Sequence, residues 1–454
     1  GEIYNYKSLK SLLEEKGIVF RGGSDGEVIP HLYDLYGEEV FRYLDGMFAI
    51  SIWDSKTQKL LLARDLPGEK PLYYSDTPNG LVYASEVKAI KSLSNIELSL
   101  DKQSIWDFPS FLWIPEPNTA YKNIKSLERG HYLVASVTGI QSIRSFKPEN
   151  FIEDIVFSSE DEAIQMTREI VERSIKSRLL SDVPVGSFLS GGLDSSIVAS
   201  VAAKELDHLD TFTIEFENID DPYHGKANES EAALETSKFI GSTHHNVPVT
   251  AQDFKDCLDE FVFYGDLPFS VSSGLGIMAI SKVARERGIK VLLTGDGADE
   301  CFGGYSWYED IFKNDNQKNH NYPHRNPVTF QNIGIARKDR INALNLMKPS
   351  ERAYAWHYYA HEDEKKFLIH PEFQNNLMSS TRHFSSLDKK DMDSPLEYIK
   401  HDRNFYFPNE MLRKVDRMGM ANSVEGRTPF ASPEVISLAN SLTENLMFKD
   451  GQLK

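Results

Sequence analysis

Short apolar runs with alternating or continuous hydrophobic character fill the first third of the chain. Met47-Phe48-Ala49-Ile50-Ser51-Ile52-Trp53, Lys59-Leu60-Leu61-Leu62-Ala63 and Gly80-Leu81-Val82-Tyr83-Ala84 are separated by turn residues, a pattern that predicts antiparallel sheet. Helices are predicted from Lys7 to Glu15 and from Glu27 to Tyr36, so this part is α+β. Two prolines in Ile114-Pro115-Glu116-Pro117-Asn118 remove donors and fix the backbone, which predicts a loop.

Beyond an acidic joint at Ser158 to Glu162 the pattern changes to long helical stretches alternating with compact apolar strands, as in a parallel α/β sheet. Strands are predicted at Pro184 to Leu189, Thr211 to Phe216, His245 to Val249 and Lys290 to Thr294, with helices between them. Helices dominate from Pro349, and the Asn-rich stretch from Asn314 to Asn332 reads as a surface loop. The change of pattern places a domain boundary near residue 152, giving units 1–152 and 153–454.

Composition narrows the classes of function. The chain has 454 residues, 40% of them apolar, which suits two domains with sizeable cores. A formal charge of -18 argues against a nucleic-acid partner, because such binding replaces phosphate counterions with Lys and Arg. No apolar run approaches the roughly 20 residues that span a bilayer. Cys257 and Cys301 are the only cysteines, without a CxxC pair, which fits a reducing, cytoplasmic setting and no structural zinc. The start at Gly1-Glu2-Ile3-Tyr4 has neither an initiator Met nor a leader pattern, so the chain reads as a fragment.

The chemistry concentrates in two loops. Val185-Gly186-Ser187-Phe188-Leu189 runs through Ser190-Gly191-Gly192-Leu193-Asp194-Ser195-Ser196 into an apolar helix. Adjacent glycines let backbone amides approach an anion, and the helix directs its free N–H groups and positive dipole end to the same point. Ser190 and Ser195 add hydroxyls, and Asp194 suits a Mg²⁺ bridging phosphate oxygens. There is no Lys as in a Walker A loop. Holding the terminal two phosphates makes pyrophosphate the leaving group and exposes the α-phosphorus, so the expected product is an adenylate. The second loop ends the strand at Thr294 with Gly295-Asp296-Gly297-Ala298-Asp299-Glu300. Three carboxylates so close repel one another without a cation, which suggests Mg²⁺ at Asp299 and Glu300 and substrate positioning at Asp296.

Ser190-Gly191-Gly192-Leu193-Asp194-Ser195, followed by Thr294-Gly295-Asp296-Gly297-Ala298-Asp299-Glu300-Cys301-Phe302-Gly303-Gly304-Tyr305, resembles the glutamine-hydrolysing asparagine synthetases. The late block Asn409 to Ala421 and Glu425-Gly426-Arg427-Thr428-Pro429-Phe430 looks like that family's helical signature. The resemblance implies ATP, aspartate and glutamine or ammonia as small-molecule substrates, with adenylation of the aspartate side chain and displacement of AMP by ammonia. It makes Leu189 and Ile214 adenine contacts, sets Thr294 and Gly295 beside the nucleotide, and gives Asp296 the catalytic place. Without the family, Leu189 and Ile214 are core strand residues. The first domain is similar to the family's glutaminase half, a sandwich of antiparallel sheets; Gly1 and Glu2 then sit in a glutamine pocket and Asp25 holds the ligand's ammonium. Read from the residues alone, Asp25 after Ser24 is a helix N-cap. A homodimer is an assembly compatible with this reading.

Several departures bear on activity. The family's N-terminal Cys nucleophile, a pocket arginine and an oxyanion-hole Asn have no counterpart here, and Phe448 to Lys454 stops before a lysine-rich segment holding a catalytic Lys. Cys257 and Cys301, both in the second domain, read as buried thiols. Asp266-Leu267-Pro268 departs from the common Asp-Glu-Pro. Arg413, Lys414 and Arg427 are candidate anion contacts or ordinary ion-pair partners. The competing readings are an amidotransferase acting on another carboxylate, a β-lactam-synthetase-like enzyme, and a catalytically inactive ATP-binding regulator.

Overall fold

The structure is a computed structural model that describes residues 1–94, 96–216, 229–305, 308, 348–357, 359, 360, 362–389 and 395–448. The expected loop at Asn314 to Asn332 lies outside the described residues. Fourteen strands occur among them: β1 Glu2–Ile3, β2 Gly46–Met47, β3 Ala49–Asp54, β4 Lys59–Arg64, β5 Tyr73–Thr77, β6 Gly80–Ala84, β7 Lys125–Ser126, β8 His131–Ser136, β9 Gly139–Ser145, β10 Val185–Phe188, β11 Asp210–Phe216, β12 Thr243–Val249, β13 Val291–Leu293 and β14 Glu425–Arg427.

The first nine strands form antiparallel sheets ordered β3-β4-β8-β9 and β6-β5-β7, with β1 paired to β2. Alternation along β4 builds the layering. Leu61 and Ala63 join Leu9, Leu13, Val28 and Leu32 in the core under the helices Tyr6–Glu15 and Val28–Tyr36. Leu62, on the opposite face, packs with Leu72 and Leu133 toward the smaller sheet. The prolines after Ile114 do form an irregular loop, with a cis bond between Glu116 and Pro117.

The second domain is a five-stranded, wholly parallel sheet, β12-β11-β10-β13-β14. Val291 and Leu293 pack with Ile175, Val198 and Leu438 on one face, and Leu292 packs with Phe212, Ile280 and Ala284 on the other. Burial of both faces is why these strands read as continuous apolar runs. Within the late, mainly helical part, β14 adds a strand that the sequence pattern did not mark: Glu425-Gly426-Arg427 pairs with Val291 to Leu293 as the edge strand. Chain order places the reversal of winding between β10 and β13, and in such sheets the crevice outside the carboxyl ends of the two strands at the reversal is the ligand position.

A polar seam joins the two halves. Lys70 Nζ donates to Asp416 Oδ1 at 2.8 Å and lies 3.8 Å from Glu425. Asp266 accepts the first free N–H groups of the helix Val87–Lys91, capping it from the other domain, so the departure at Asp266-Leu267-Pro268 keeps a structural acid. Glu69 is 6% exposed at this seam, and burial, with Asp65 nearby, pushes its carboxyl up to about 8. From about pH 4.5 to 8 the unfolded chain gives up this proton and the folded chain keeps it, so stability falls as pH rises through that window. Glu69→Gln is expected to flatten this part of the profile, read as urea midpoints at pH 5.5 and 8. An unchanged slope would remove Glu69 as its source.

Candidate functional site

Both chemistry-bearing loops leave the sheet at the reversal. β10 ends at Phe188, and Leu189, 1% exposed, extends the ladder by donating its N–H to Phe212 O at 2.9 Å. The chain then turns through Gly191, whose φ of +77° no β-substituted residue adopts easily and whose missing Cβ would lie 2.7 Å from Ala232 Cβ. Gly192 is the N-cap of the helix Leu193–Glu205. Ser195 Oγ lies 3.0 Å from Ser190 Oγ and accepts the Ser190 N–H at 3.1 Å, holding the loop closed around its exposed amides.

β13 ends at Leu293, and Thr294 and Gly295 run directly under this loop. A Cβ on Gly295 would come within 2.8 Å of Ser195 N and 3.1 Å of Asp194 Cβ. This close approach brings the two predicted motifs together, although they lie about a hundred residues apart. Gly295→Ala is expected to cost about 1–3 kcal/mol and to weaken nucleotide binding, checked by denaturant midpoint and ATP titration; wild-type values in both would show that the two loops can part freely.

Asp296 follows, half-buried, with Oδ1 3.1 Å from Lys414 Nζ and Oδ2 accepting from Thr294 Oγ1. Lys414 is 6% exposed on the helix Arg413–Met420, which is entered through a π-helical turn at Phe407–Leu412, a local irregularity frequent at functional sites. Of the three candidate anion contacts only Lys414 reaches this strand end. Arg413 lies 3.7 Å from Glu116 and Arg427 turns to the seam. Ile214 is half-buried and packs its Cδ1 against Gly276, on the sheet face opposite the Leu189 core.

The expected trio of metal-holding acids is not assembled. Asp194 and Asp299 are partly exposed, whereas Glu300 is fully buried: its Oε1 accepts from Tyr305 Oη at 2.8 Å, Oε2 has no hydrogen-bond partner among the described residues, and burial pushes the carboxyl up to about 8. One residue along a helix is a turn of about 100°, so Asp299 and Glu300 cannot face the same way. Among the described residues no group of three His, Cys, Asp or Glu could hold a metal ion. Asp194 and Asp299 are nonetheless the kind of donor that Mg²⁺ uses, since it usually takes one or two protein acids together with phosphate oxygens and water.

The other predicted group sits at the amino end of the same sheet. Asp25 Oδ2 accepts the Ile3 N–H at 2.7 Å, and Ser24, rather than Asp25, caps the turn Asp25–Glu27. Glu2 and Asp25 line a cavity of about 680 Å³ together with Asp182, Lys290, Glu425 and Arg427. Gly1 packs against the Met47 carbonyl, where a Cβ would clash. Cys301 is buried, its thiol pushed up to about 12, and Cys257 is half-buried.

An antiparallel domain with an acid-lined cavity, docked on a parallel sheet whose glycine loop meets an acidic strand end at the winding reversal, defines a two-domain, nucleotide-using amidotransferase. Residues 1–147 match the glutamine amidotransferase domain and residues 166–454 match asparagine synthase, and the chain belongs to the glutamine-hydrolysing asparagine synthetase family. It is 30% identical over 462 residues to asparagine synthetase [glutamine-hydrolyzing] 1 of Bacillus subtilis, covering all of this chain and 71% of that protein. It is 29% identical to a putative asparagine synthetase [glutamine-hydrolyzing] of Mycobacterium tuberculosis, over 97% of this chain and 68% of the relative. It is also 30% identical to amidase chry2 of Gibberella zeae, over 99% of this chain and 70% of that protein. The family makes the chain an ATP-dependent, glutamine-linked amidotransferase. Among the described residues no helix is long and apolar enough to cross a membrane.

Proposed function

We propose that the chain carries out the synthetase step of asparagine synthesis: it adenylates the side-chain carboxylate of aspartate, and ammonia then displaces AMP. The contact of Gly295 with Ser195 and Asp194 carries this reading, because it sets the phosphate loop against the strand end that presents Asp296. ATP takes its terminal phosphates to the glycine turn at Gly191 and Gly192 and to the Ser195 hydroxyl, with adenine at the adjoining backbones of Leu189 and Ile214, whose side chains point to opposite faces, and the nucleotide running past Thr294 and Gly295. Asp194 and Asp299 would hold Mg²⁺, which would supply neutralisation of the phosphate charge. A carboxylate oxygen attacks the α-phosphorus, the bond to the β-phosphate oxygen breaks, and pyrophosphate leaves. Lys414 balances the charge of Asp296 and is placed to orient the acyl-adenylate; ammonia then adds to its carbonyl and AMP departs.

Glutamine binds through Glu2 and Asp25 in the cavity at the amino end of the sheet, with the Gly1 backbone beside them. A domain boundary near residue 152 and a cytoplasmic setting complete the proposal. Amidase chry2 supports a second reading with the same chemistry and another carboxylate. Pyrophosphate release with ammonium chloride, Mg-ATP and a panel of carboxylates separates the two: release that depends on aspartate is expected, and release with another acid but none with aspartate would replace asparagine synthesis by the second reading.

A further inference from the structure

The two proposed binding regions lie at opposite ends of one sheet, and one residue touches both, the first with its side chain and the second with its backbone. Arg427, 1% exposed, places Nη2 3.1 Å from Glu2 Oε1 across the seam. Its Nε donates to Glu425 Oε1 at 3.0 Å, and Nη1 donates to the carbonyls of Arg178 at 2.8 Å and Leu180 at 2.6 Å. A planar guanidinium held at three points on its own domain has no slack, so Glu2 is docked against a fixed charge. The backbone of the same residue faces the other site: Arg427 pairs with Leu293, and its carbonyl accepts the Thr294 N–H at 3.0 Å. Thr294 Oγ1 in turn accepts the Asp296 N–H at 3.1 Å.

The cavity holds the acids Glu2, Asp25 and Glu425 beside Arg427. An α-amino acid entering it brings an ammonium to carboxylates of which two, Glu2 and Glu425, already pair with Arg427. The new charge competes for those acids, and Arg427 passes the change to its remaining partners, the carbonyls of Arg178 and Leu180 and its own short strand β14, whose far end positions Thr294. We propose that Arg427 is a positioning residue that couples occupancy of the Glu2–Asp25 cavity by glutamine to the affinity of the strand end at Thr294 to Asp296 for Mg-ATP. The proposal rests on the glutamine-pocket reading given above.

The test is titration calorimetry on the 454-residue chain, measuring the Mg-ATP dissociation constant with and without saturating L-glutamine. In the wild type, glutamine is expected to change this constant at least about fivefold, the lower end of ordinary coupling between sites. Arg427→Met should reduce the ratio to below about twofold. Arg427→Lys keeps the charge opposite Glu2, gives up part of the carbonyl clamp, and should retain an intermediate ratio; it also carries the test if the Met variant does not fold. A residue needed only for folding would weaken both ligands and leave their ratio unchanged, which overturns the proposal, as does a wild-type constant indifferent to glutamine. If glutamine alone does not bind, the pocket reading falls and the coupling falls with it; pyrophosphate release by ammonium chloride, Mg-ATP and aspartate tests the synthetase reading separately.

Discussion

Replacing Asp194 by alanine is expected to lower carboxylate-dependent pyrophosphate release by about 10³-fold or more, the scale on which electrostatic groups around transferring phosphates act. Asp194 sits in the first turn of the helix Leu193–Glu205, with its Cβ beside Gly295 and its side chain partly exposed. Its loss should therefore leave the core between the sheet and the helices intact. The expected pattern is a wild-type unfolding midpoint, near-wild-type glutamine binding and no adenylation. Retained release would remove Asp194 from the metal site. Asp299→Ala should behave alike, whereas Glu300→Gln should change stability more than chemistry, because Glu300 is enclosed with Tyr305.

Lys70→Met is expected to destabilise the protein by about 3–5 kcal/mol, the usual result of removing one member of a buried ion pair. Lys70 Nζ is the cation between Asp416 and Glu425, and all three side chains are at most 20% exposed. Taking it away strands Asp416 at the domain seam, while Glu425 keeps its pair with Arg427. Truncating Asp416 as well should recover much of the loss, since a missing pair costs less than an orphaned charge. Denaturant unfolding of the two single variants and the double variant supplies the cycle; strictly additive losses would mean that the pair does not act across the seam.

The parts of the fold that were legible from sequence are those set by local pattern. The helix predicted from Lys7 to Glu15 spans Tyr6–Glu15, and the strand predicted at Gly80 to Ala84 has those bounds, because period and turn residues suffice to define them. The glycine turn was equally readable, since Gly191, at a φ of +77°, has a backbone that L side chains rarely adopt. What escaped depends on contacts distant along the chain. β14 is three residues with a charge at each end, and only its pairing with Val291 to Leu293 makes it a strand. The 3.1 Å approach of Lys414 to Asp296 joins positions 118 apart. Arg427 offered itself as an anion contact by charge alone, and only the docked first domain shows its partner to be Glu2. The acids at Asp299 and Glu300 looked like one cluster because sequence proximity hides the turn of the helix, which buries the second of them.

Carboxylate labelled with ¹⁸O on the aspartate side chain, supplied with ammonium chloride and Mg-ATP, tests the central claim most directly. An acyl-adenylate transfers one labelled oxygen to the phosphate of AMP, which mass spectrometry of the isolated nucleotide detects. Label in inorganic phosphate with release of ADP, or AMP free of label, would contradict attack on the α-phosphorus at the Ser190 to Ser195 loop.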